Sequence, residues 1–401
     1  MGGTLSPRRA DLLSVTLTIG FFCVAVSQAG VSVTAPLLRA ELGFSAGQVG
    51  LLMSALLLAY GMGQIPAGAL AGRFGGRVVV VGFAVIALGS ALFALSSGFY
   101  VLLAARVLQG LGASAMLPSA GVLLARLVPV NRLGRAWAIY GAGSALGNLF
   151  SFLVLARLGA GAGFRSVFVA ALVLAVLGGV ASLLLPEIRR STAASLGLAA
   201  KSRLDTDLRQ LVRLGGVPWL VLVNVAGIAL MVGVQTWTPS FMHDVHGASV
   251  AAASSLTAGY AAAQLLAAPM VAMLSRRVPL ARLLLLAFLG MVVCAVLVPL
   301  LPGVALGFVA MVGIGFFGMA SFAPAFSMIP MIVEPRLVGL ASGFFNGTGF
   351  LGALAAPWLF GLMLDAGWGY AAGYFLLAAV ASTGILASVA LGRRRLHRAL
   401  P

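Results

Sequence analysis

Charged side chains are scarce in this 401-residue sequence: they make up 8% of it, and only eight residues are acidic. Hydrophobic residues make up 61%, and the mean hydropathy is +1.11. Soluble domains carry about 25% charged residues. The composition therefore excludes an ordinary soluble domain and favours a protein that lies in a membrane.

Residues that bind metals or carry nucleophilic chemistry are also few. The two cysteines, Cys23 and Cys294, lie in apolar stretches of opposite halves and are predicted to be packing residues. His243, Asp244 and His246 lie together, but a closed metal site needs more ligands than this group offers. The sequence also has no Walker loop for ATP and no Ser/His/acid set. We therefore predict no enzymatic activity, no cofactor and no metal.

Apolar runs recur along the chain, and each is long enough to cross a hydrocarbon core about 30 Å thick. They are apolar on all sides, whereas a membrane strand alternates in polarity over about ten residues. Only a helix satisfies its own backbone at this length in lipid. We predict twelve membrane-spanning helices, called spans 1 to 12, near residues 12–36, 47–70, 78–97, 99–127, 136–157, 166–186, 217–242, 249–274, 283–302, 304–333, 338–363 and 370–391.

Basic residues lie mainly on one side of these spans. Of the 25 Lys and Arg residues, 21 fall on the face that holds both termini, and only Arg39, Arg157 and Arg165 fall on the other. Because cytoplasmic loops are enriched in Lys and Arg, both termini are predicted to be cytoplasmic. The net charge of +17 is dispersed between apolar runs, so we expect a lipid bilayer and no nucleic acid as partner. The Arg-rich, Lys-poor, Ala/Gly/Leu-rich usage suggests a bacterium with a GC-rich genome, so we expect a multi-pass protein of the inner membrane.

A repeat relates the two halves of the chain. Ser54, Tyr60, Gln64 and Arg77 recur 200 positions later as Ser254, Tyr260, Gln264 and Arg277. This constant offset predicts two six-helix bundles in the same orientation, residues 1–186 and 217–401, joined by a linker at 187–216 that contains an amphipathic helix. Parallel repeats of this kind are one design of transporters, which hold the substrate between the halves.

Two motifs resemble the major facilitator superfamily. The turn Gly68-Ala-Leu-Ala-Gly-Arg-Phe-Gly-Gly-Arg77 is similar to the family's loop signature Gly-x-Leu-Ala-Asp-Arg-x-Gly-Arg-Arg. Arg106-Val-Leu-Gln109-Gly110 in span 4 is similar to its Arg-x-x-Gln-Gly motif. With the twelve spans and the repeat, the resemblance covers essentially the whole chain. It implies an alternating-access secondary carrier, in which two bundles rock about a central site.

The resemblance assigns gating to five residues of the turn: Gly68, Gly72, Arg73, Gly75 and Arg77. Gly72 stands where the family has an aspartate that helps to latch the carrier closed on the cytoplasmic side. Glycine cannot supply that interaction, so the resemblance implies a gate that is weaker or is latched by other residues. The alternative is that Arg73 and Arg77 only set the topology.

Arg106 is the only ionisable residue that we place well inside a span. Its insertion costs at least about 2.5–3.5 kcal/mol, so it needs partners or a wet cavity. We predict that it anchors an anionic substrate; the alternative is a structural arginine bonded to Gln109 or to helix carbonyls. The other predicted substrate-binding residues are polar or aromatic side chains of the inner spans, each of which could instead join helices: Gln28, Tyr60, Gln64, Tyr140, Asn148, Asn224, Gln235, Trp237, Tyr260, Gln264 and Asn346.

The eight acidic residues all fall in predicted loops or at span ends: Asp11, Glu41, Glu187, Asp205, Asp207, Asp244, Glu334 and Asp365. Proton-coupled carriers usually titrate a buried carboxylate. The sequence offers none, so coupling would come from the substrate's own proton or from exchange against another solute, or transport would be facilitated diffusion.

Shorter matches bear on the substrate. Gln64-Ile-Pro66-Ala-Gly68 and Ala341-Ser-Gly343-Phe-Phe-Asn346 are similar to the organic-anion symporter branch of the family. Asn148 replaces a proline that is typical of its drug-exporting antiporters. We therefore predict a carrier whose partner is a small solute, an organic anion such as a carboxylate. We also expect the carrier to be monomeric. The alternatives are efflux of amphipathic drug-like compounds and a non-transporting membrane sensor that keeps the carrier fold.

Overall fold

The computed structural model of the protein describes residues 5–189, 204–275, 277–334 and 338–393. Within these ranges the chain forms α-helices and one short π-helical segment, and it contains no β-strand. The helices of the first half are α1 (Pro7–Leu42), α2 (Ala46–Phe74), α3 (Arg77–Leu95), α4 (Phe99–Ser114), α5 (Met116–Leu127), α6 (Val130–Phe150), the π-helical segment (Ser151–Leu155), α7 (Ala156–Ala162), α8 (Phe164–Leu184) and α9 (Pro186–Arg189). The remaining helices are α10 (Leu204–Arg213), α11 (Val217–Asp244), α12 (Val250–Leu274), α13 (Leu280–Leu297), α14 (Val304–Ile332), α15 (Val338–Ala353), α16 (Ala355–Asp365) and α17 (Gly369–Arg393).

Twelve helical stretches are long and apolar enough to cross a membrane, which confirms the predicted all-helical fold. Span 4 consists of α4 and α5, span 5 of α6, the π-helical segment and α7, and span 11 of α15 and α16. The other spans are the single helices α1, α2, α3, α8, α11, α12, α13, α14 and α17. Helix α10 lies in the predicted linker, of which residues 190–203 are outside the described ranges.

Two spans are interrupted where the sequence predicts continuous helices. The first break lies at Ala115 in span 4, and the second lies at Leu354 in span 11. Each break is three residues before a proline, Pro118 or Pro357. Because proline has no backbone N–H, it cannot bond the carbonyl four residues earlier, and the helix is weakened at that point. The amide of Ala115 instead bonds the carbonyl of Gly112, which tightens the turn.

Span 1 is longer than predicted, because both of its ends have favourable terminal residues. Pro7 lies in the first turn of α1, where its missing N–H costs nothing. The helix ends before Gly43, which has φ 68°. Glycine adopts this left-handed conformation without steric cost, so it is a common stop for helices.

The chain divides into two compact units. The first unit comprises residues 1–44 and 51–200, and the second comprises residues 45–50 and 201–401. The first turns of α2 therefore belong to the second unit, although the rest of that helix belongs to the first.

The two units repeat one packing pattern. In the first unit α1 packs against α6, and α3 packs against α4 and α8. In the second unit α11 packs against α15, and α13 packs against α14 and α17. These are the same pairs shifted by six spans, as the repeat in the sequence predicts.

Helices α1 and α6 approach each other closely through glycines of α6. A methyl group at Gly143 would lie 2.5 Å from the carbonyl oxygen of Thr18, and one at Gly147 would lie 2.5 Å from that of Phe22. Small residues at such positions let membrane helices come into backbone contact, where dispersion replaces the missing hydrophobic effect. Gly141 of the same helix faces open space, with nothing within 4 Å of an added methyl group.

This packing predicts different effects for two alanine substitutions in α6. We expect Gly147→Ala to lower the free energy of unfolding by about 1–3 kcal/mol, because the methyl group must push two backbones apart. Gly141→Ala is the matched control and should leave stability equal or slightly higher. The thermal midpoints of the purified proteins in detergent test this, and equal midpoints would show that the close approach does not limit stability.

Candidate functional site

Arg106 lies in α4 and is 0% exposed. Its Nε donates to the carbonyl oxygen of Leu52 in α2 at 3.2 Å, and its Nη1 donates to that of Ser27 in α1 at 2.6 Å. Nη1 also donates to Oε1 of Gln109 at 2.6 Å, and Nη2 lies 3.6 Å from Sδ of Met53. The guanidinium thus ties three helices of the first unit together.

Gln109 extends this network to a fourth helix. Its Nε2 donates to Oγ of Ser90 in α3 at 2.9 Å. Arg106 is the only buried charged side chain among the described residues, and no described carboxylate lies within ion-pair distance of it. The geometry agrees with the structural alternative for Arg106, and its role toward a substrate stays a prediction.

The acidic residues lie at the ends of helices or between them. Asp11 is in the second turn of α1, where its Oδ2 is 3.8 Å from Arg132 and 3.4 Å from Arg135. Glu187 in α9 is 3.7 Å from Arg9. The element bounds place the other six at or near helix ends or in α10. No carboxylate of the described residues therefore lies at the centre of a span.

Aromatic side chains of the first unit pack against Tyr140 in α6. Tyr140 is 1% exposed, and its ring stacks on Phe21 with centroids 4.9 Å apart. Trp137 packs edge-on against it at 5.6 Å. Tyr60 and Gln64, one turn apart in α2, are 2% and 4% exposed. Neither the hydroxyl of Tyr140 nor Nε2 of Gln64 has a hydrogen-bond partner within the described part of the chain.

The predicted residues of the second unit bond mainly to helix carbonyls. Trp237 is fully buried, and its Nε1 donates to the carbonyl of Pro357 at 2.9 Å. Nδ2 of Asn224 donates to the carbonyl of Phe345 at 2.6 Å. The hydroxyl of Tyr260 donates to the carbonyl of Met231 at 3.3 Å, and Gln264, one turn later in α12, is half-buried.

The remaining predicted residues are also partly or fully buried. Asn148, Gln235 and Asn346 are 5%, 7% and 4% exposed, and Gln28 is half-buried. Nδ2 of Asn346 has no hydrogen-bond partner among the residues that the structure describes. Six serine hydroxyls outside the predicted site are also buried without a hydrogen-bond partner in the described part of the chain: Ser27, Ser32, Ser119, Ser182, Ser240 and Ser254. The only sign of them in the sequence is a polar residue inside an apolar run.

The five predicted gating residues lie together at the end of α2 and the start of α3. Gly75 has φ 62°, which lets the chain turn between the two helices. The exposed guanidinium of Arg73 lies over the ring of Phe74, 5.2 Å from its centroid. Gly72 faces open space, with nothing within 4 Å of an added methyl group. The turn therefore has room for the aspartate of the family pattern, and its role in gating stays a prediction.

The open space at Gly72 makes that pattern testable. If the absence of the family's aspartate weakens the gate, Gly72→Asp should restore it. We then expect amide hydrogen exchange over residues 68–77 to slow several-fold, because the new carboxylate would stabilise the turn. Gly134→Asp is the control, since Gly134 also faces open space on the side predicted to be cytoplasmic. Exchange that is unchanged in Gly72→Asp would mean that the latch lies elsewhere.

Known proteins match the chain over most of its length. The sequence model of the Major Facilitator Superfamily matches residues 17–357 and 241–400. The probable sulfoacetate transporter SauU of Cupriavidus necator is 24% identical over 398 residues, which cover 92% of this chain and 90% of that protein. The probable L-galactonate transporter of Escherichia coli is 22% identical over 427 residues, which cover 98% and 92%. An uncharacterized MFS-type transporter of Mycobacterium tuberculosis is 27% identical over 223 residues, and there the match spans 54% of this chain and 38% of that protein.

Solved structures agree with these matches at the level of the fold. The crystal structure of a D-xylose–proton symporter has a TM-score of 0.78 at 16% identity, and the match covers 95% of this chain and 97% of that one. The sulfoacetate and L-galactonate relatives and the D-xylose–proton symporter are transporters rather than enzymes. This agrees with the prediction from the sequence that the chain has no enzymatic activity.

Proposed function

The chain belongs to the major facilitator superfamily, and on that basis we propose that this multi-pass secondary transporter carries small organic anions with a carboxylate group. The observation that supports the proposal most is the charge of Arg106, which is fully buried and has no carboxylate beside it among the described residues. A bundle that keeps a positive charge without an acid favours a negatively charged solute.

The charge of Arg106 acts over a distance even though its donors are used by the protein. An anion about 10 Å away would gain about 1.7 kcal/mol at an effective dielectric constant of about 20. An uncharged solute would gain nothing from this term. We infer that Arg106 has two roles: it positions α1, α2 and α4 through Ser27 and Leu52, and it attracts the anion through its charge.

Direct contacts to the anion would come from donors that the protein leaves unused. Nε2 of Gln64 and Nδ2 of Asn346 are N–H donors, and the hydroxyl of Tyr140 can also donate. An ionised carboxylate is an acceptor only, so it fits such groups. We propose that the other predicted residues complete the site: Gln28, Tyr60, Asn148, Asn224, Gln235, Trp237, Tyr260 and Gln264.

The names of two relatives support the same class of solute. Sulfoacetate and L-galactonate, after which these relatives are named, are both carboxylate anions. Because the identities are only 24% and 22%, they support the class and leave the individual solute open. Coupling would come from the substrate's own proton or from anion exchange, since the acids of the described spans lie at helix ends.

Transport by purified protein in liposomes tests the proposal. The panel contains short carboxylates, each with an uncharged analogue, including galactonate with galactose. We expect saturable uptake of at least one carboxylate and at least tenfold less of its analogue. Arg106→Gln should abolish this preference, whereas Arg106→Lys should keep it, because lysine retains the charge although it lacks the planar fork of donors.

The ratio of anion to neutral uptake separates the two roles of Arg106. Both substitutions remove hydrogen bonds to Ser27 and Leu52, so both should lower the thermal midpoint, and only the loss of charge should change the ratio. Equal uptake of anions and analogues by the wild type, or an unchanged ratio in Arg106→Gln, would contradict the proposal. Transport of amphipathic dyes in place of anions would support the efflux alternative.

A further inference from the structure

Backbone amides in the first turn of α2 form hydrogen bonds to a carboxylate from a distant part of the sequence. The backbone N–H of Ala46 donates to Oδ1 of Asp365 at 2.8 Å, and that of Gly47 donates to Oδ2 at 2.7 Å. Asp365 is the last residue of α16. Both oxygens of one carboxylate are therefore used by two successive amides at a helix N-terminus, where the helix dipole also favours negative charge.

Local residues satisfy the other donors of this turn. Oγ of Ser45 accepts from the N–H of Gln48 at 3.2 Å, and Oε1 of Gln48 accepts from the N–H of Ser45 at 2.9 Å. This reciprocal pair is a capping box, which leaves the amides of Ala46 and Gly47 without a local partner. Asp365 supplies that partner, so the cap of α2 is complete only while α16 is in place.

Backbone packing holds the same two segments together. A methyl group at Gly47 would lie 2.8 Å from Oδ2 of Asp365, and one at Gly50 would lie 2.9 Å from Cα of Trp358. A methyl group at Gly361 would lie 2.7 Å from the carbonyl carbon of Ala46. These contacts explain why residues 45–50 belong to the second unit, while α2 from Leu51 onward belongs to the first.

We propose that Asp365 is a latch that holds the first turn of α2 against α16 and releases it when the carrier opens at that end of α2. The sequence predicts that this end faces outward, opposite the Gly68–Arg77 turn. The latch can open because the Asp365 side chain is solvent-exposed, so water can replace the two amides. Two charge-assisted hydrogen bonds are strong enough to bias such an equilibrium about tenfold without locking it.

Cysteine reactivity measures the opening directly. Val49 in the second turn of α2 is 0% exposed, and Val49→Cys reports whether this segment leaves its packing. Val167→Cys is the matched control, because Val167 is also 0% exposed but packs inside the first unit against Gly159. Both are made in a protein in which Cys23 and Cys294 are replaced by alanine, and both are treated with a membrane-impermeant maleimide in liposomes.

The test compares two substitutions of acids that are predicted to lie on the same side of the membrane. Asp365→Asn places an N–H₂ group against the amide of Gly47 or Ala46, so one of the two hydrogen bonds must break. We expect the alkylation rate of Val49→Cys to rise about tenfold, which corresponds to about 1.4 kcal/mol in the opening equilibrium. Glu41→Gln removes an exposed negative charge of α1 and should change the rate less than twofold.

Three results would overturn the latch. The first is an unchanged rate for Val49→Cys in Asp365→Asn. The second is an equal rise for Val167→Cys, which would mean that the protein unfolds instead of opening. The third is an equal rise in Glu41→Gln, which would mean that surface charge alone controls the rate. The measurement needs no substrate, so its result tests the latch independently of the proposed anion transport.

Discussion

A guanidinium buried among apolar helices must find acceptors for its donors inside the protein, and at Arg106 this requirement fixes several helices at once. Carbonyl oxygens of Ser27 and Leu52 accept from it, and Gln109 carries the network on to Ser90. The positions of α1 to α4 in the first unit are thus tied to one side chain. The same side chain brings a positive charge that no described carboxylate neutralises, so the packing of this unit and its proposed preference for anions have a common origin.

The second unit repeats the helix packing without repeating this charge. Val309 stands 203 positions after Arg106, the offset that relates Gly110 to Gly313. In place of a charged hub, Trp237, Asn224 and Tyr260 donate to single helix carbonyls. Neutral side chains can satisfy such carbonyls at much lower desolvation cost than a guanidinium can. The repeat therefore preserves the architecture of the halves, while the chemistry of each half has diverged.

Much of the fold follows from local patterns in the sequence, because apolar length and helix formation in lipid are local properties. The contact between Arg106 and Gln109 could also be predicted from the sequence, since residues three apart share a helix face. The breaks at Ala115 and Leu354 have a local signal in the sequence, since a proline follows each of them by three residues. The hydrogen bonds that the amides of Ala46 and Gly47 donate to Asp365 had no such signal: they join residues more than 300 positions apart, and an acid at a helix end resembles an ordinary loop residue. Which buried donors are left without partners also depends on packing between distant helices, so the sequence could suggest candidates for the site but could not rank them.

The buried charge of Arg106 is proposed to make this carrier select anions. Equilibrium binding tests it most directly, measured as the thermal midpoint of the purified protein with pairs of carboxylates and their uncharged amides. A ligand that binds only the folded protein stabilises it by RT ln(1 + [L]/Kd), so the effect must grow with concentration. We expect at least one carboxylate to raise the midpoint in this way while its amide does not. Equal shifts with both members of every pair, or shifts with amides alone, would contradict the claim.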